Sequence, residues 1–109
     1  MIYKIGSTVT IILDSFTDAE WSNIVGYDNI FCEAEMKRPD GSDQEFTFTA
    51  VVDEPTRSIT LTSATTDSWP AGEYNLDVRI SKGGRYFYYP PQTFITFKLI
   101  RPVTDNPVV

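Results

Sequence analysis

The chain has 109 residues, which suffice for one hydrophobic core and are too few for two. Hydrophobic residues make up 41% of the chain and aromatic residues 14%, a composition that favours a folded domain over a disordered chain. The formal net charge of -6 at pH 7 repels phosphate backbones and anionic lipid surfaces, so we expect the chain to bind neither nucleic acid nor a membrane.

Export and disulfide formation are not expected. No apolar run approaches the roughly 20 residues that span a membrane, and residues 1–6 lack the basic and apolar layout of a signal peptide. We therefore expect synthesis in the cytoplasm. Cys32 is the single cysteine, so an internal disulfide is impossible, and its place on an apolar face predicts a small buried hydrophobe.

The first predicted strands lie near the N-terminus. Residues 1–5 are expected to form a short edge strand, and residues 8–13 form a second strand because β-branched residues are frequent and alternate there. The segment that follows has no strand pattern. Residues 18–21 can form one helical turn capped by Thr17 or Asp18, and we expect no longer helix.

A hairpin is predicted in the middle of the chain. Residues 30–37 and 44–52 each alternate between apolar and polar side chains, which is typical of a strand with one buried face. Between them, Pro39 fixes φ and Gly41 accepts a positive φ, so a turn is expected. The inward residues of the first of these strands are Cys32, Ala34 and Met36.

Residues 57–89 contain three further strands and both of their connections. The corner Trp69-Pro70-Ala71-Gly72 combines a proline with a glycine that permits a tight bend, and Lys82-Gly83-Gly84-Arg85 is a two-glycine hairpin tip. Pro90 and Pro91 lack the N–H groups that a ladder needs and end the last of these strands. The strands themselves are predicted at 58–62, 73–81 and 85–89.

The last predicted strand covers residues 93–101 and is apolar on both sides, so we expect both of its faces to be covered. Residues 102–109 contain two prolines and no pattern, and we predict an extended tail there. Seven or eight strands with turn signals between them, and no long helical pattern, predict an all-β antiparallel β-sandwich formed by residues 1–101. A small barrel is the alternative.

The sequence offers little for catalysis. It contains no histidine, which removes the commonest general base and zinc ligand. Ser81 and Lys82 are neighbours on a strand, so their side chains point apart and a Ser–Lys dyad is not expected. The acidic segment 40–45 lacks the ligand order of a calcium loop, and turn chemistry explains it. We expect no catalytic residue, no metal site and no cofactor.

Aromatic residues and cations meet around the second hairpin. In the strand 85–89, Tyr86 and Tyr88 face opposite to Phe87 and Tyr89, so we expect one of these pairs in the core and the other available for a protein contact. Trp69 is expected to be buried beside its corner. The candidate interaction surface consists of Tyr86, Tyr88, Trp21, Lys82 and Arg85.

Several short motifs follow one another in a particular order between residues 6 and 101. They are Gly6-Ser7-Thr8 at the start of a strand, the turn Pro39-Asp40-Gly41, the stretch Arg57-Ser58-Ile59-Thr60-Leu61-Thr62, the corner with Pro70 and Gly72, then Tyr74, Asp77 and the hairpin Gly83-Gly84. This order resembles the small immunoglobulin-like domains of tailed-bacteriophage virion proteins. Residues 14–29 depart from it, because they form a longer and more acidic segment than such domains have.

The resemblance implies an immunoglobulin-like sandwich and a structural role in a phage or prophage particle, as a tail, baseplate or head accessory subunit. Its implied partners are other virion or tail proteins and further copies of the chain. The protein would be made in the bacterial cytoplasm and located in the virion.

Three functions are open at this point. The first is a non-enzymatic virion subunit, assembled through sheet edges, outward aromatic residues and the tail. The second is a module that binds carbohydrate or another ligand by stacking it on Tyr86, Tyr88 or Trp21. The third is a hydrolase built on carboxylates, although nothing in the sequence selects a pair of them.

Overall fold

The computed structural model describes residues 1–37 and 43–103, and within them the regular secondary structure is β apart from one short helix. The predicted turn at 38–42, the first half of the acidic segment 40–45 and the tail beyond residue 103 lie outside these residues. The elements are β1 (Ile2–Lys4), β2 (Thr8–Leu13), α1 (Asp18–Ile24), β3 (Asn29–Lys37), β4 (Asp43–Asp53), β5 (Ser58–Thr65), β6 (Gly72–Lys82), β7 (Arg85–Tyr89) and β8 (Ile95–Ile100). The prediction of an all-β fold with seven or eight strands is confirmed.

The strands form one hydrogen-bonded series in the order β1-β8-β6-β3-β4-β5-β2, and β7 pairs with β6 beside that series. Among the described strands, β1 and β8 run parallel and all the other pairs are antiparallel. The two ends of the series, β1 and β2, are consecutive in the sequence and are joined by residues 5–7. The sheet therefore nearly closes on itself, as in a barrel.

The strand β6 has two partners on one of its sides. Residues 72–76 pair with β8 and residues 78–82 pair with β7, while β3 occupies the opposite side of β6. We call this arrangement the fork. Asp77 is the residue of β6 at which the pairing changes from β8 to β7. Residues 90–94 connect the two strands around the break.

The core lies on the face of β6 that carries Tyr74, Leu76, Val78 and Ile80, as the alternation predicted. The ring of Tyr74 stacks on Phe97 with their centroids 5.0 Å apart and an interplanar angle of 3°. The Tyr74 hydroxyl donates to the carbonyl of Pro70, which fastens the predicted corner to the core. Burial of apolar side chains is the main stabilising contribution to such a fold.

The environment of Cys32 is the one that the sequence predicted. Its side chain is buried and lies within the hydrophobic core. Burial raises the pKa of its thiol to about 12, with smaller contributions from Asp77 and Glu33. A group with such a pKa stays protonated at neutral pH, so Cys32 behaves as a small apolar residue.

Two expectations, one about the helix and one about the last strand, are wrong. The helix α1 runs to Ile24, beyond the single turn expected, because Trp21 and Ile24 are both buried against the sheet and Thr17 and Glu20 form a capping box. The outer side of β8 is exposed at Thr96 and Lys98, so only one face of that strand is covered. The helix α1 has seven residues. Among the described residues, no helix has the length and apolar content to cross a membrane.

Two buried hydroxyls replace missing backbone partners near β2. The register between β2 and β5 shifts between Thr8 and Thr10, and at this bulge the Val9 N–H donates to the Ser63 hydroxyl over 2.9 Å. In the turn between β1 and β2, the Gly6 N–H donates to Thr66 Oγ1 over 2.9 Å, and Thr66 Oγ1 donates to the Ser7 carbonyl over 2.7 Å. These contacts satisfy backbone groups that the ladder leaves unpaired.

Candidate interaction face

The outer face of β3, β6 and β7 carries an unusual set of side chains for a solvent-exposed sheet. The register places residues of the three strands in rows across the sheet, because side chains at paired positions point to the same face. We call these residues, together with Phe94 beside them, the outer face. Its rows are Asn29–Ser81–Tyr86, Phe31–Arg79–Tyr88, Glu33–Asp77 and Glu35–Asn75.

The two tyrosines are positioned as the sequence predicted. Tyr86 is 62% exposed and Tyr88 is 46% exposed, whereas Tyr89 is buried and Phe87 is half-buried on the opposite side of β7. The hydroxyl of Tyr89 lies 3.3 Å from the Glu20 carbonyl, to which it donates. One pair of aromatic residues in this strand therefore belongs to the core and the other pair faces solvent.

Arg79 lies at the centre of the outer face. Its guanidinium carbon is 5.5 Å from the ring centroid of Phe31 and 4.9 Å from that of Tyr86, within the range of cation–π attraction. The Nε atom of Arg79 is buried and has no hydrogen-bond partner among the described residues. Arg79 thus contacts both exposed rings, and the three side chains form one continuous surface.

The other predicted surface residues have different positions. Trp21 is only 5% exposed and packs against Phe16 with a centroid distance of 5.5 Å, so it offers no stacking surface. That expectation was wrong because α1 turns the indole toward the sheet. The Lys82 ammonium donates to the carbonyls of Ser22 over 2.8 Å and Val25 over 2.5 Å, so it caps the end of α1.

Arg85 stands at the tip of the hairpin and is exposed. Its guanidinium carbon lies 5.9 Å from the ring centroid of Phe87, which belongs to the opposite side of β7 from Tyr86 and Tyr88. Arg85 is therefore available to a partner, although it does not take part in the row of Arg79 and Tyr88. Of the five predicted surface residues, Tyr86 and Tyr88 lie within the outer face.

A groove of about 360 Å³ runs across the outer face at the fork. Because β7 ends at Tyr89 and β8 starts at Ile95, the sheet has a gap beside Asp77. Tyr88 and Phe94, which is 58% exposed, border this gap. The groove is lined by Phe31, Glu33, Ala34, Glu35, Asn75, Leu76, Asp77, Arg79, Tyr88 and Phe94.

The groove is acidic. Of the side chains that line it, Glu33, Glu35 and Asp77 are carboxylates, and Arg79 is the cation among them. Burial raises the pKa of the Asp77 carboxyl above its ordinary value, since partial removal from water disfavours the charged form. The ion pair between described residues joins Arg57 to Asp18, so Asp77 forms no ion pair with another described residue.

The sequence predicted that Tyr86 and Tyr88 belong to a surface, but it did not predict that Phe31, Arg79 and Phe94 belong to it too. The outward position of Arg79 could be read from the alternation along β6, and that of Phe31 from the alternation along β3. Neither pattern indicates that β3, β6 and β7 lie side by side. The arrangement of aromatic rings around carboxylates suits the binding of another molecule.

Within residues 1–37 and 43–103, no group of three or more cysteine or acidic side chains is placed to hold a metal ion. Comparison of the chain with models of protein families finds no match, and neither does comparison with curated proteins.

Proposed function

We propose that the chain is a non-enzymatic assembly domain that binds another protein through its outer face. The observation that carries this proposal is the exposure of four large aromatic side chains on one surface: Phe31 at 41%, together with Tyr86, Tyr88 and Phe94. Contiguous exposed apolar surface usually marks a contact site, and aromatic and arginine side chains are enriched in protein interfaces.

The fold that fits this role is an immunoglobulin-like sandwich, in which β1, β8, β6 and β3 form one layer and β5 and β2 the other. The strand β4 supports this division, because residues 43–48 pair with β3 and residues 48–53 pair with β5. The hydrogen bond from Tyr74 to the carbonyl four residues earlier supports it too, since immunoglobulin-like domains use such a tyrosine corner.

The resemblance to virion domains extends the proposal to its setting, a phage or prophage particle. In that setting the partners are other virion or tail proteins and further copies of the chain. Large aromatic side chains beside an arginine suit such contacts, because residues of these types contribute most of the binding energy at protein interfaces.

Replacing Tyr86 and Tyr88 together with alanine is expected to reduce incorporation into particles at least about tenfold, as the loss of interface aromatics commonly does. The measurement is the amount of tagged chain that co-sediments with particles through a density gradient. Ile12→Ala is the matched control, because Ile12 is a large exposed residue on β2, away from the outer face. A wild-type chain that remains monomeric by light scattering and occurs in no particle fraction contradicts the proposal.

A carbohydrate-binding module is the second candidate. The groove favours it, because Asn75 and Asp77 offer hydrogen-bonding groups beside the ring of Tyr88, and sugars bind to such combinations of polar groups and aromatic rings. A screen of the purified chain on a glycan array tests this candidate. Binding that Tyr88→Ala abolishes supports it, and an array without any bound glycan contradicts it.

A further inference from the structure

The groove at the fork is the concave part of the outer face, and it combines a carboxylate with aromatic side chains. Asp77 lies at the point where β6 changes partners, so none of the described strands pairs with it on the side of β7 and β8. Tyr88 and Phe94 border it from the ends of the connection between those strands. A partly buried carboxylate thus lies between two exposed aromatic side chains.

Acidic side chains outnumber basic ones in the lining of the groove. Among the lining residues that the structure describes, Glu33, Glu35 and Asp77 carry carboxylates and Arg79 carries the cation, which is held over the rings of Phe31 and Tyr86. The whole chain has a net charge of -6, which adds to the negative potential at this surface. An anionic ligand would be repelled, whereas a cation would gain both a charged hydrogen bond and contact with the aromatic rings.

We propose that this groove binds a lysine or arginine side chain presented by an extended segment of a partner protein. The inference rests on the proposed function, and it adds the chemistry of the partner to that function. The ammonium or guanidinium group binds the Asp77 carboxylate, and the apolar stem of the side chain lies against Tyr88 and Phe94. A volume of about 360 Å³ is at the small end of the range for ligand pockets.

The test uses the full chain, labelled with ¹⁵N, and two tripeptides that differ in charge alone. The first probe is acetyl-Ala-Arg-Ala-amide, and the second carries citrulline, the neutral isostere of arginine, in place of arginine. In buffer of low ionic strength, we expect the arginine peptide to shift the amide signals of Asp77, Tyr88 and Phe94. We expect the citrulline peptide to bind at least about tenfold more weakly, as the loss of a charged hydrogen bond predicts.

Asp77→Asn is the variant that tests the carboxylate, and Asp53→Asn on β4 is its matched control. Asp77→Asn is expected to weaken the binding of the arginine peptide about tenfold while the fold is retained, because asparagine is nearly isosteric and removes a partly desolvated charge. Asp53→Asn is expected to leave binding unchanged, since Asp53 lies at the far end of β4. An amide spectrum that keeps its dispersion shows that each variant is folded.

Three outcomes would overturn the inference. They are equal binding of the two peptides, equal weakening by Asp77→Asn and Asp53→Asn, and binding of neutral oligosaccharides in the groove without binding of the arginine peptide. If the inference fails in one of these ways while the double tyrosine variant still loses particle incorporation, the proposed function stands with a different partner chemistry. If that variant is also incorporated normally, the proposed function fails as well.

Discussion

Replacing Phe97 with alanine is expected to lower the free energy of unfolding by about 3–5 kcal/mol. Phe97 is buried, and its ring contacts three other aromatic residues. It stacks on Tyr74 at 5.0 Å and meets Phe48 at 5.9 Å and Tyr3 at 6.4 Å edge to face. Alanine removes the apolar burial and leaves a cavity that the rigid sheet cannot fill.

Urea denaturation followed by far-ultraviolet circular dichroism measures this loss. Phe94→Ala is the matched control, since it makes the same chemical change three residues earlier at an exposed position. We expect Phe94→Ala to change the free energy of unfolding by about 0.5 kcal/mol or less. Similar losses for the two variants would show that Phe97 does not occupy the centre of the core.

Replacing Thr66 with valine is expected to lower the free energy of unfolding by about 1–3 kcal/mol. The two side chains have nearly the same shape, so packing changes little. The Thr66 hydroxyl accepts from the Gly6 N–H and donates to the Ser7 carbonyl, and it is completely buried. Valine leaves both backbone groups without that partner in the turn that connects the two ends of the sheet.

Thermal unfolding of Thr66→Val and Thr96→Val measures the loss of stability in each variant. The comparison shows whether the loss at Thr66 comes from its buried hydrogen bonds or from valine at any threonine position. Thr96 also donates a hydrogen bond from its hydroxyl, to Asn75 Oδ1 over 2.9 Å, but it is exposed on β8. Water replaces the partner lost there, so a change of about 0.5 kcal/mol or less is expected. If Thr96→Val destabilises the chain as much as Thr66→Val, burial of the Thr66 contacts is not the cause.

The strands could be predicted because alternation is a local property. Along β6, the residues predicted to face inward are the ones that are buried, and the glycines of the hairpin at 83–84 both have positive φ. The separation of Tyr86 and Tyr88 from Tyr89 followed from the same two-residue period. These predictions required no knowledge of which strands are neighbours.

The groove could not be predicted, because it depends on pairing between distant parts of the sequence. Tyr88 and Asp77 become neighbours only because β7 and β8 share one side of β6. The burial of Trp21 and the capping role of Lys82 likewise depend on where α1 packs. The apolar pattern of residues 93–101 suggested cover on both faces, yet Thr96 and Lys98 are exposed on the outer side of β8.

The fork also divides the sheet into parts that can open separately. Among the described strands, β7 is bonded only to β6, so the hairpin can fray while β6 keeps its pairs with β3 and β8. Proteins open in such local units at a lower free energy than global unfolding, and amide protons in these units exchange with solvent sooner. Tyr86 and Tyr88 therefore lie on the segment whose hydrogen exchange a bound partner would slow most.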